Sequence, residues 1–274
     1  MRIIVSFTTT PTRISRIEPM LKSILEQTRK PDFIITNLPN QYIRDKKKLI
    51  IPDFITNNEL IIVNRCKDFG PATKLVGILN KNKNYKLNND DYIITVDDDI
   101  KYQKNLLKYY ENFININNNN VYGLSGFDFY SNGNFNWIST NNIIRPCHCL
   151  EGWASICYPF KFLKNDILLQ LKIAPKFALL SDDVFISNYF NRSTKIILIR
   201  NNKFNHEKNN ILGYGNEKDA LHNQKGRSTH SVNYKNSFNY LTFTNNNYFY
   251  RFNSINLFRT LSHKRKNKHR WYKK

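Results

Sequence analysis

Three consecutive carboxylates, Asp97-Asp98-Asp99, follow an apolar run from Tyr92 to Val96. A short run rich in β-branched residues that ends at a polar segment predicts a buried strand. In α/β sheets, ligands bind at the carboxyl ends of strands. Carboxylate oxygens suit Mg²⁺ and Mn²⁺, which share their remaining coordination positions with substrate phosphates and water. The triplet therefore predicts a metal–diphosphate site, and the alternative is a solvated acidic turn.

Two further segments carry residues suited to a phosphate or a nucleobase. Thr8 to Arg13 follows the first predicted strand and is rich in hydroxyls, although a turn capped by threonine is the alternative. Asp68 to Lys74 contains a Gly-Pro turn that leads into an apolar helical run. A lysine beside the free amides of a helix start can hold an anion, and the alternative is a lysine that faces solvent.

A second acidic pair, Asp182-Asp183, comes after Ser181 at the start of a predicted helix from Val184 to Phe190. One residue of this group can serve as the N-cap. The remaining carboxylate is then a candidate general base for a hydroxyl group.

Glu151-Gly152-Trp153 places a small residue beside an indole ring. This arrangement permits close approach of a flat ligand, and sugars stack on aromatic rings through their C–H faces. The alternative is a tryptophan of the core. Residues 131–146, rich in Asn, Ser and Gly, predict a hairpin or a loop on the acceptor side.

The elements that must position these residues alternate between strand and helix. The runs Ile3 to Phe7 and Phe33 to Leu38 predict two strands, and the spacing between Ile14 and Leu25 predicts a helix that joins them. Such a β-α-β unit builds a parallel sheet. Further strands are predicted over residues 60–63, 92–96, 121–127 and 195–199, and further helices over 103–113, 160–171 and 234–241.

The composition is that of one folded domain with a basic end. The chain has 274 residues, 41% of them hydrophobic, and a formal charge of +21. Seven of the positive charges lie in residues 263–274, which contain no acid and leave +14 for the rest. We therefore expect a domain over residues 1–245 and a C-terminal extension over 246–274, whose basic tail makes at most weak contact with a membrane surface.

The four cysteines form no CxxC pair, so reduced thiols are expected. Cys147-His148-Cys149 lacks further ligands at a zinc spacing and is a weak metal candidate. No secretory signal and no run of about 18 apolar residues is present. The sequence thus predicts a soluble cytoplasmic protein.

Taken together, these motifs resemble small family-2-like glycosyltransferases of the GT-A fold, which occur in bacteria and large DNA viruses. The resemblance rests on six segments in order over residues 1–245: Ile3 to Arg13, Asp68 to Lys74, Val96 to Asp99, Glu151 to Trp153, Asp182 to Ser187 and Asp219 to His222. It implies an α/β GT-A domain, Rossmann-like, with a mixed and mostly parallel central sheet flanked by helices. The implied activity is hexosyl transfer from a nucleotide sugar, with UDP favoured and Mn²⁺ or Mg²⁺ as the cofactor.

The resemblance also assigns expected roles. Asp99 would be the direct metal ligand, with Asp97 facing the ribose or the metal and Asp98 at the variable middle position. Asp183 is favoured over Asp182 as the catalytic base of an inverting transfer. The expected donor-binding residues are Thr8, Arg13, Asp68, Lys74, Asp97 and Asp98; the acceptor residues are Glu151, Gly152 and Trp153; His222 would approach the metal or the diphosphate.

Two other classes compete with this interpretation. A nucleotidyltransferase also needs a metal at a carboxylate cluster. A basic nucleic-acid-binding protein would suit the charge and the 14% aromatic content, but it gives no reason for acids at two separate elements, so no specific nucleic acid is expected. The acceptor, whether glycan, protein or lipid, is not indicated by the sequence.

Overall fold

The computed structural model of the chain describes residues 1–43, 48–79, 85–175, 177, 181–204, 212 and 228–249. His222 and the basic tail lie outside these residues. No helix in the described part of the chain is both long and apolar enough to cross a bilayer.

Eleven strands form two sheets within the described residues. In chain order they are β1 Ile3–Thr8, β2 Phe33–Pro39, β3 Ile61–Cys66, β4 Tyr92–Thr95, β5 Val121–Gly123, β6 Gly126–Phe129, β7 Phe135–Trp137, β8 Ile143–Pro146, β9 Cys149–Leu150, β10 Ile156–Pro159 and β11 Ile196–Arg200. The large sheet has the order β3-β2-β1-β4-β10-β5-β11-β8, and the small sheet has the order β7-β6-β9.

The helices connect and cover these strands. Their bounds are α1 Glu18–Leu25, α2 Asp53–Thr56, α3 Thr73–Val76, α4 Leu106–Ile116, α5 Asp166–Ile173, α6 Asp182–Asn191 and α7 Ser228–Phe243. Short 3₁₀ turns precede or follow several of them, such as Ile14–Arg16 before α1 and Gly77–Leu79 after α3.

The large sheet is mixed, and most of its strands are parallel. Strands β3, β2, β1 and β4 pair in parallel, as do β5 and β11, whereas β10 and β8 run antiparallel to their neighbours. The predicted class, an α/β domain with a mixed, mostly parallel central sheet flanked by helices, is confirmed. It is the Rossmann-like arrangement that the GT-A resemblance implies.

Hydrophobic clusters pack on both faces of the large sheet. Ile4 of β1 belongs to one cluster, whereas Ile3, Val5 and Phe7 belong to the other. Because successive side chains of a strand point to opposite faces, a strand buried on both sides needs a continuous apolar run. This requirement explains why β1, β2 and β4 were recognisable in the sequence.

The predicted strand from Val121 to Phe127 is in fact divided between the two sheets. Ser125, at the division, donates from its side chain to Glu151 at 2.7 Å. A Cβ on Gly126 would lie 2.5 Å from the carbonyl oxygen of Cys149, so the close crossing at this point requires glycine. The residues are continuous in the sequence, but tertiary contacts divide them into two strands of different sheets.

The predicted helix over residues 160–171 is also divided. A 3₁₀ turn at Phe160–Phe162 and helix α5 are separated because Leu163 adopts an extended backbone and is buried in the core. Strand β10 was not predicted. It is only four residues long and ends at Pro159, so propensity alone gives little signal.

The packed region continues past the predicted domain limit at residue 245. Phe249 is fully buried, and its ring lies 5.9 Å from that of Phe238 and 5.1 Å from that of Phe129. The backbone N–H of Tyr248 also donates to Asn188 at 2.7 Å. The described core therefore includes residues that the sequence assigned to the extension.

A buried histidine makes stability depend on pH. The Nδ1 atom of His148 accepts the N–H of Phe129 at 2.9 Å. Burial lowers the pKa of His148 to about 4 from an ordinary value of 6.5, and the nearby Asp128 does not restore it. The folded state thus prefers the neutral ring, so its contribution to stability is complete above pH 6.5 and is lost as the pH falls towards 4.

His148→Asn keeps an acceptor near the position of Nδ1 but does not titrate. We expect the wild type to lose about 3 kcal/mol of unfolding free energy relative to this variant between pH 7 and pH 4. Urea unfolding of both proteins across this pH range measures the difference between their unfolding free energies. Other titrating groups contribute equally to both proteins and cancel in this difference. Parallel stability curves for the two proteins would contradict the prediction.

Candidate functional site

The acidic triplet lies at the carboxyl end of β4, beside the carboxyl end of β1. Asp98 is buried and accepts the hydroxyl of Thr9 at 2.6 Å and the guanidinium of Arg13 at 2.8 Å. Arg13 also lies 3.5 Å from Asp99. Both partners of Asp98 come from the segment after β1, so Asp98 connects the two central strand ends.

Asp97 is paired with a lysine from another element. Nζ of Lys74, in α3, lies 2.5 Å from Oδ1 of Asp97, and the lysine is buried. Burial acts to lower the pKa of Lys74, but the carboxylates of Asp97, Asp182 and Asp183 together raise it above its ordinary value. Lys74 therefore stays charged and lies between the two acidic groups that the sequence singled out.

A buried polar network holds the start of α3 against the sheet. Ser6 of β1 donates to the carbonyl of Lys74 at 2.6 Å, and Asn37 of β2 donates to the Ser6 hydroxyl at 2.8 Å. Asn64 of β3 donates to Asn37 and to the carbonyl of Gly77, both at 2.8 Å. The network fixes the backbone of Lys74 relative to three strands and so directs its side chain towards Asp97.

The second acidic pair occupies the first turn of α6. Asp183 is partly exposed; its Oδ1 accepts the N–H of Gly152 at 2.8 Å and its Oδ2 accepts the hydroxyl of Tyr234 at 3.1 Å. Asp182 is buried, and its Oδ2 has no hydrogen-bond partner among the described residues. Burial and the charge of Asp183, opposed by Lys74, raise the pKa of Asp182 to about 7.

The predicted N-cap at this helix is not made. Ser181 occupies the N-cap position, but its side chain makes no capping hydrogen bond, and its buried hydroxyl has no partner in the described part of the chain. Asp182 and Asp183 instead form the first turn of the helix.

The described residues fit a divalent cation held by few protein ligands. No group of three or more His, Cys, Asp or Glu side chains forms a complete ligand set in the described chain. Burial, followed by the charges of Asp97 and Asp98 and opposed by Arg13, raises the pKa of Asp99 to about 7. Mg²⁺ is commonly bound through one or two carboxylates plus substrate phosphates, and Asp97 with Asp99 meets that requirement.

Gly152 lies against both Lys74 and Asp183. A Cβ at this position would lie 2.8 Å from Nζ of Lys74 and 3.1 Å from Oδ1 of Asp183. A larger residue here would have to displace the ends of the Lys74 and Asp183 side chains, so glycine is favoured by space rather than by backbone conformation. Gly152 also donates its N–H to Asp183, so it positions that carboxylate directly.

Gly152→Ala is expected to displace Lys74 from Asp97 and to cost about 1–3 kcal/mol of stability, as overpacking does. Urea unfolding measures this cost. In a Lys74→Ala background the same substitution should cost clearly less, because Nζ and Cε of Lys74 are two of the three atoms nearest to the added Cβ. Equal costs in the two backgrounds would show that Lys74 does not fill this space.

Several predicted site residues make structural contacts. Thr8 donates its hydroxyl to the carbonyl of Asn37 at 2.8 Å and so joins β1 to β2. Asp68 accepts the N–H of Gly70 at 2.7 Å and that of Ile43 at 2.8 Å, which shapes the loop before α3. Glu151 is buried, whereas the adjacent Trp153 is partly exposed. His222 lies outside the described residues.

Sequence reasoning missed several side chains of the site. Ser125 contacts Glu151 and Tyr234 contacts Asp183, both from distant positions in the chain. Trp137, which donates its indole N–H to Glu151 at 3.0 Å, was also missed. For Trp137, the sequence offered one signal, a tryptophan within a segment rich in Asn and Ser. The other side chains had no such signal.

All four cysteines are buried free thiols. Within Cys147-His148-Cys149, the sulfur of Cys147 lies 3.5 Å from the carbonyl oxygen of Cys149, and His148 is engaged by Phe129. Burial raises the pKa of both thiols, which disfavours the thiolates that bind soft metals.

The fold and the site together define a mixed α/β protein with two converging acidic groups at the carboxyl edge of its sheet. No family model matches the sequence, and no curated protein matches it. The chain is structurally similar to residues 1–349 of S. aureus TarS, with 17% identity and a TM-score of 0.49 over 72% of this chain and 58% of that chain.

Crystal structures of the same TarS region in complex with UDP and with UDP-GlcNAc give 15% and 14% identity and TM-scores of 0.44 and 0.43. They cover 72% of this chain and 57% and 56% of TarS 1–349. The chain thus matches less than three fifths of that TarS region. Similarity at this level does not establish an activity for the chain.

Proposed function

We propose that this chain is a metal-dependent glycosyltransferase. It would transfer a hexose from a nucleotide diphosphate sugar, with UDP favoured, to an acceptor hydroxyl with inversion at the anomeric carbon. The observation that carries the proposal is the convergence of Asp97, from the triplet, and Asp182-Asp183 on the buried Lys74. One acidic group is suited to a metal–diphosphate and the other to an acceptor hydroxyl.

The nucleoside would bind on the β2–β3 side of the acidic triplet. A cleft of about 1020 Å³ opens there, at the carboxyl ends of both strands, as expected for a ligand of an α/β sheet. Among the described residues it is lined by Asn40, Gln41, Tyr42, Ile43, Lys48, Leu49, Arg65, Cys66, Lys67 and Asp68. Its three basic side chains are complementary to a phosphate-bearing ligand.

Asp183 is proposed as the general base. It is the more exposed carboxylate of its pair, and the N–H of Gly152 and the hydroxyl of Tyr234 hold both of its oxygens in place. A base must be fixed within hydrogen-bonding reach of the proton that it removes. Asp182 is buried behind it and contributes negative charge that is balanced by Lys74.

Asp97 and Asp99 would hold the divalent ion. When bound, such an ion offsets negative charge on a leaving nucleoside diphosphate. The protein's own contribution is to keep Asp99 in place: Arg13 lies 3.5 Å from it and is itself fixed by Asp98.

Thermal shift assays with a panel of nucleotide sugars test the proposal. UDP is the nucleotide named in the TarS complexes and is tested first, followed by GDP and other bases. A UDP-sugar should raise the melting temperature, and Mn²⁺ should increase that shift, because ligands that bind only the folded state stabilise it. No stabilisation by any nucleotide sugar, with or without Mn²⁺, would contradict the proposal.

A further inference from the structure

Two tryptophans near Asp183 expose a large part of their side chains. Trp137 of β7 is 50% exposed and Trp153 is 38% exposed. Single exposed apolar residues are common on protein surfaces and need no explanation. These two differ because both are tied to the same buried carboxylate.

Glu151 is that carboxylate, and its hydrogen bonds orient the indoles. Oε1 accepts the indole N–H of Trp137 at 3.0 Å, and Oε2 accepts the hydroxyl of Ser125 at 2.7 Å. The side chain of Trp153 also hydrogen-bonds Glu151. Each indole therefore directs its polar edge towards Glu151. Since Glu151 itself is only 6% exposed, its role is to position the two rings rather than to contact a ligand.

The indole of Trp137 is also supported by the small sheet. The ring of Phe135 meets it edge-on, with centroids 4.8 Å apart and an angle of 87° between the planes. Phe135 packs in turn against Tyr234, whose hydroxyl binds Asp183. The rings are thus held rigidly, and fixed aromatic rings lose little conformational entropy when a ligand binds.

These rings lie close to the proposed base. Gly152 follows Glu151 in the chain and donates its N–H to Asp183 at 2.8 Å. Asp183 is therefore connected to Trp137 through Glu151 and Gly152 on one route and through Tyr234 and Phe135 on the other. An acceptor whose hydroxyl reacts at Asp183 could therefore contact the indoles with the rest of the molecule.

We propose that Trp137 and Trp153 form the acceptor subsite and that the acceptor is a carbohydrate whose rings stack on the indoles. This inference rests on the proposed function. Sugar rings combine apolar C–H faces with polar edges, and amphipathic aromatic side chains match that combination. Exposed amide and hydroxyl side chains flank Trp137, namely Asn136, Ser139 and Thr140. An acyl chain would need a contiguous apolar surface instead, so a sugar is favoured over a lipid.

Binding of the full chain to an array of defined oligosaccharides tests this inference. The proteins are the wild type, Trp137→Ala, Trp153→Ala and the control Phe243→Ala. Phe243 is 88% exposed on α7, nine residues beyond Tyr234, so its variant also loses an exposed aromatic ring. Binding of UDP in the presence of Mn²⁺ is measured by calorimetry on the same preparations and shows that each variant is folded at the donor side.

The wild type and Phe243→Ala should bind at least one class of oligosaccharide, and each tryptophan variant should bind it roughly tenfold more weakly. UDP affinity should be the same in all four proteins. Absence of oligosaccharide binding by the wild type, or full binding by Trp137→Ala, would overturn the carbohydrate subsite. Oligosaccharide binding through the indoles without any UDP binding would overturn the proposed function and leave the subsite standing.

Discussion

Asp183→Asn is expected to lower kcat by roughly 10²–10⁴-fold, the contribution of a positioned general base. The substitution preserves shape: an amide oxygen can still accept the N–H of Gly152, and the amide nitrogen can donate to the hydroxyl of Tyr234. The ability to take a proton is lost, together with one of the negative charges near Lys74. UDP release with a fixed donor and acceptor measures kcat, and calorimetry should show unchanged UDP affinity.

Two matched variants sharpen this test. Asp182→Asn should reduce kcat less, because Asp182 is buried and lies behind Asp183. Asp166→Asn changes a carboxylate of α5 that pairs with Arg192 at 2.7 Å, away from the site, and should leave kcat unchanged. Near wild-type turnover in both Asp183→Asn and Asp182→Asn would show that the base lies elsewhere.

The second large effect separates Asp98 from Asp99. Asp98→Asn removes the carboxylate that pairs with Arg13 at 2.8 Å, the shorter of the two contacts that Arg13 makes with this triplet. Breaking a buried pair is strongly destabilising, so a loss of about 3 kcal/mol is expected, and urea unfolding measures it. Donor binding should still depend on Mn²⁺, because Asp97 and Asp99 remain.

Asp99→Asn should have the opposite effects: the stability of the protein should be kept, and the dependence of UDP binding on Mn²⁺ should be lost. It removes a half-buried carboxylate that Asp97 and Asp98 repel, so the metal-free protein should not be destabilised. Calorimetric titration should show that Mn²⁺ no longer strengthens UDP binding. Equal losses of Mn²⁺-dependent UDP binding in the two variants, with equal stability, would contradict the assignment of different roles to these neighbours.

The frame of the site could be predicted from local sequence. Strand β4 is a run of β-branched residues buried on both faces, and such a strand is visible without knowledge of its neighbours. The position of Asp97 to Asp99 at its carboxyl end follows directly. Asp182 and Asp183 at the start of a helix were also visible, because Ser and Asp residues are typical of a helix N-terminus.

The pairing of these residues could not be predicted. Lys74 was expected to face a diphosphate or solvent, but it contacts Asp97, 23 residues further along the chain. That contact depends on the order of β1 and β4 in the sheet and on the buried network of Ser6, Asn37 and Asn64. Local propensity carries no information on either.

The same limit applies to the acceptor side. Trp153 was visible because Gly152 precedes it, whereas Trp137 lies in a polar segment whose strand, β7, has only three residues. Trp137 comes near Glu151 because β6 pairs with β7 on one side and with β9, which precedes Glu151, on the other. A short strand stabilised by tertiary contacts leaves little trace in composition.

The central claim, that the two acidic groups form one site of glycosyl transfer, is tested most directly by the products made from a UDP-sugar. The full chain is incubated with UDP- and GDP-sugars, Mn²⁺ and oligosaccharides that supply the acceptor hydroxyl, and the released species is identified by chromatography. We predict release of nucleoside diphosphate, abolished in Asp99→Asn and strongly reduced in Asp183→Asn. Release of pyrophosphate in a matching reaction with a nucleoside triphosphate, and none of nucleoside diphosphate, would identify a nucleotidyltransferase and contradict the account.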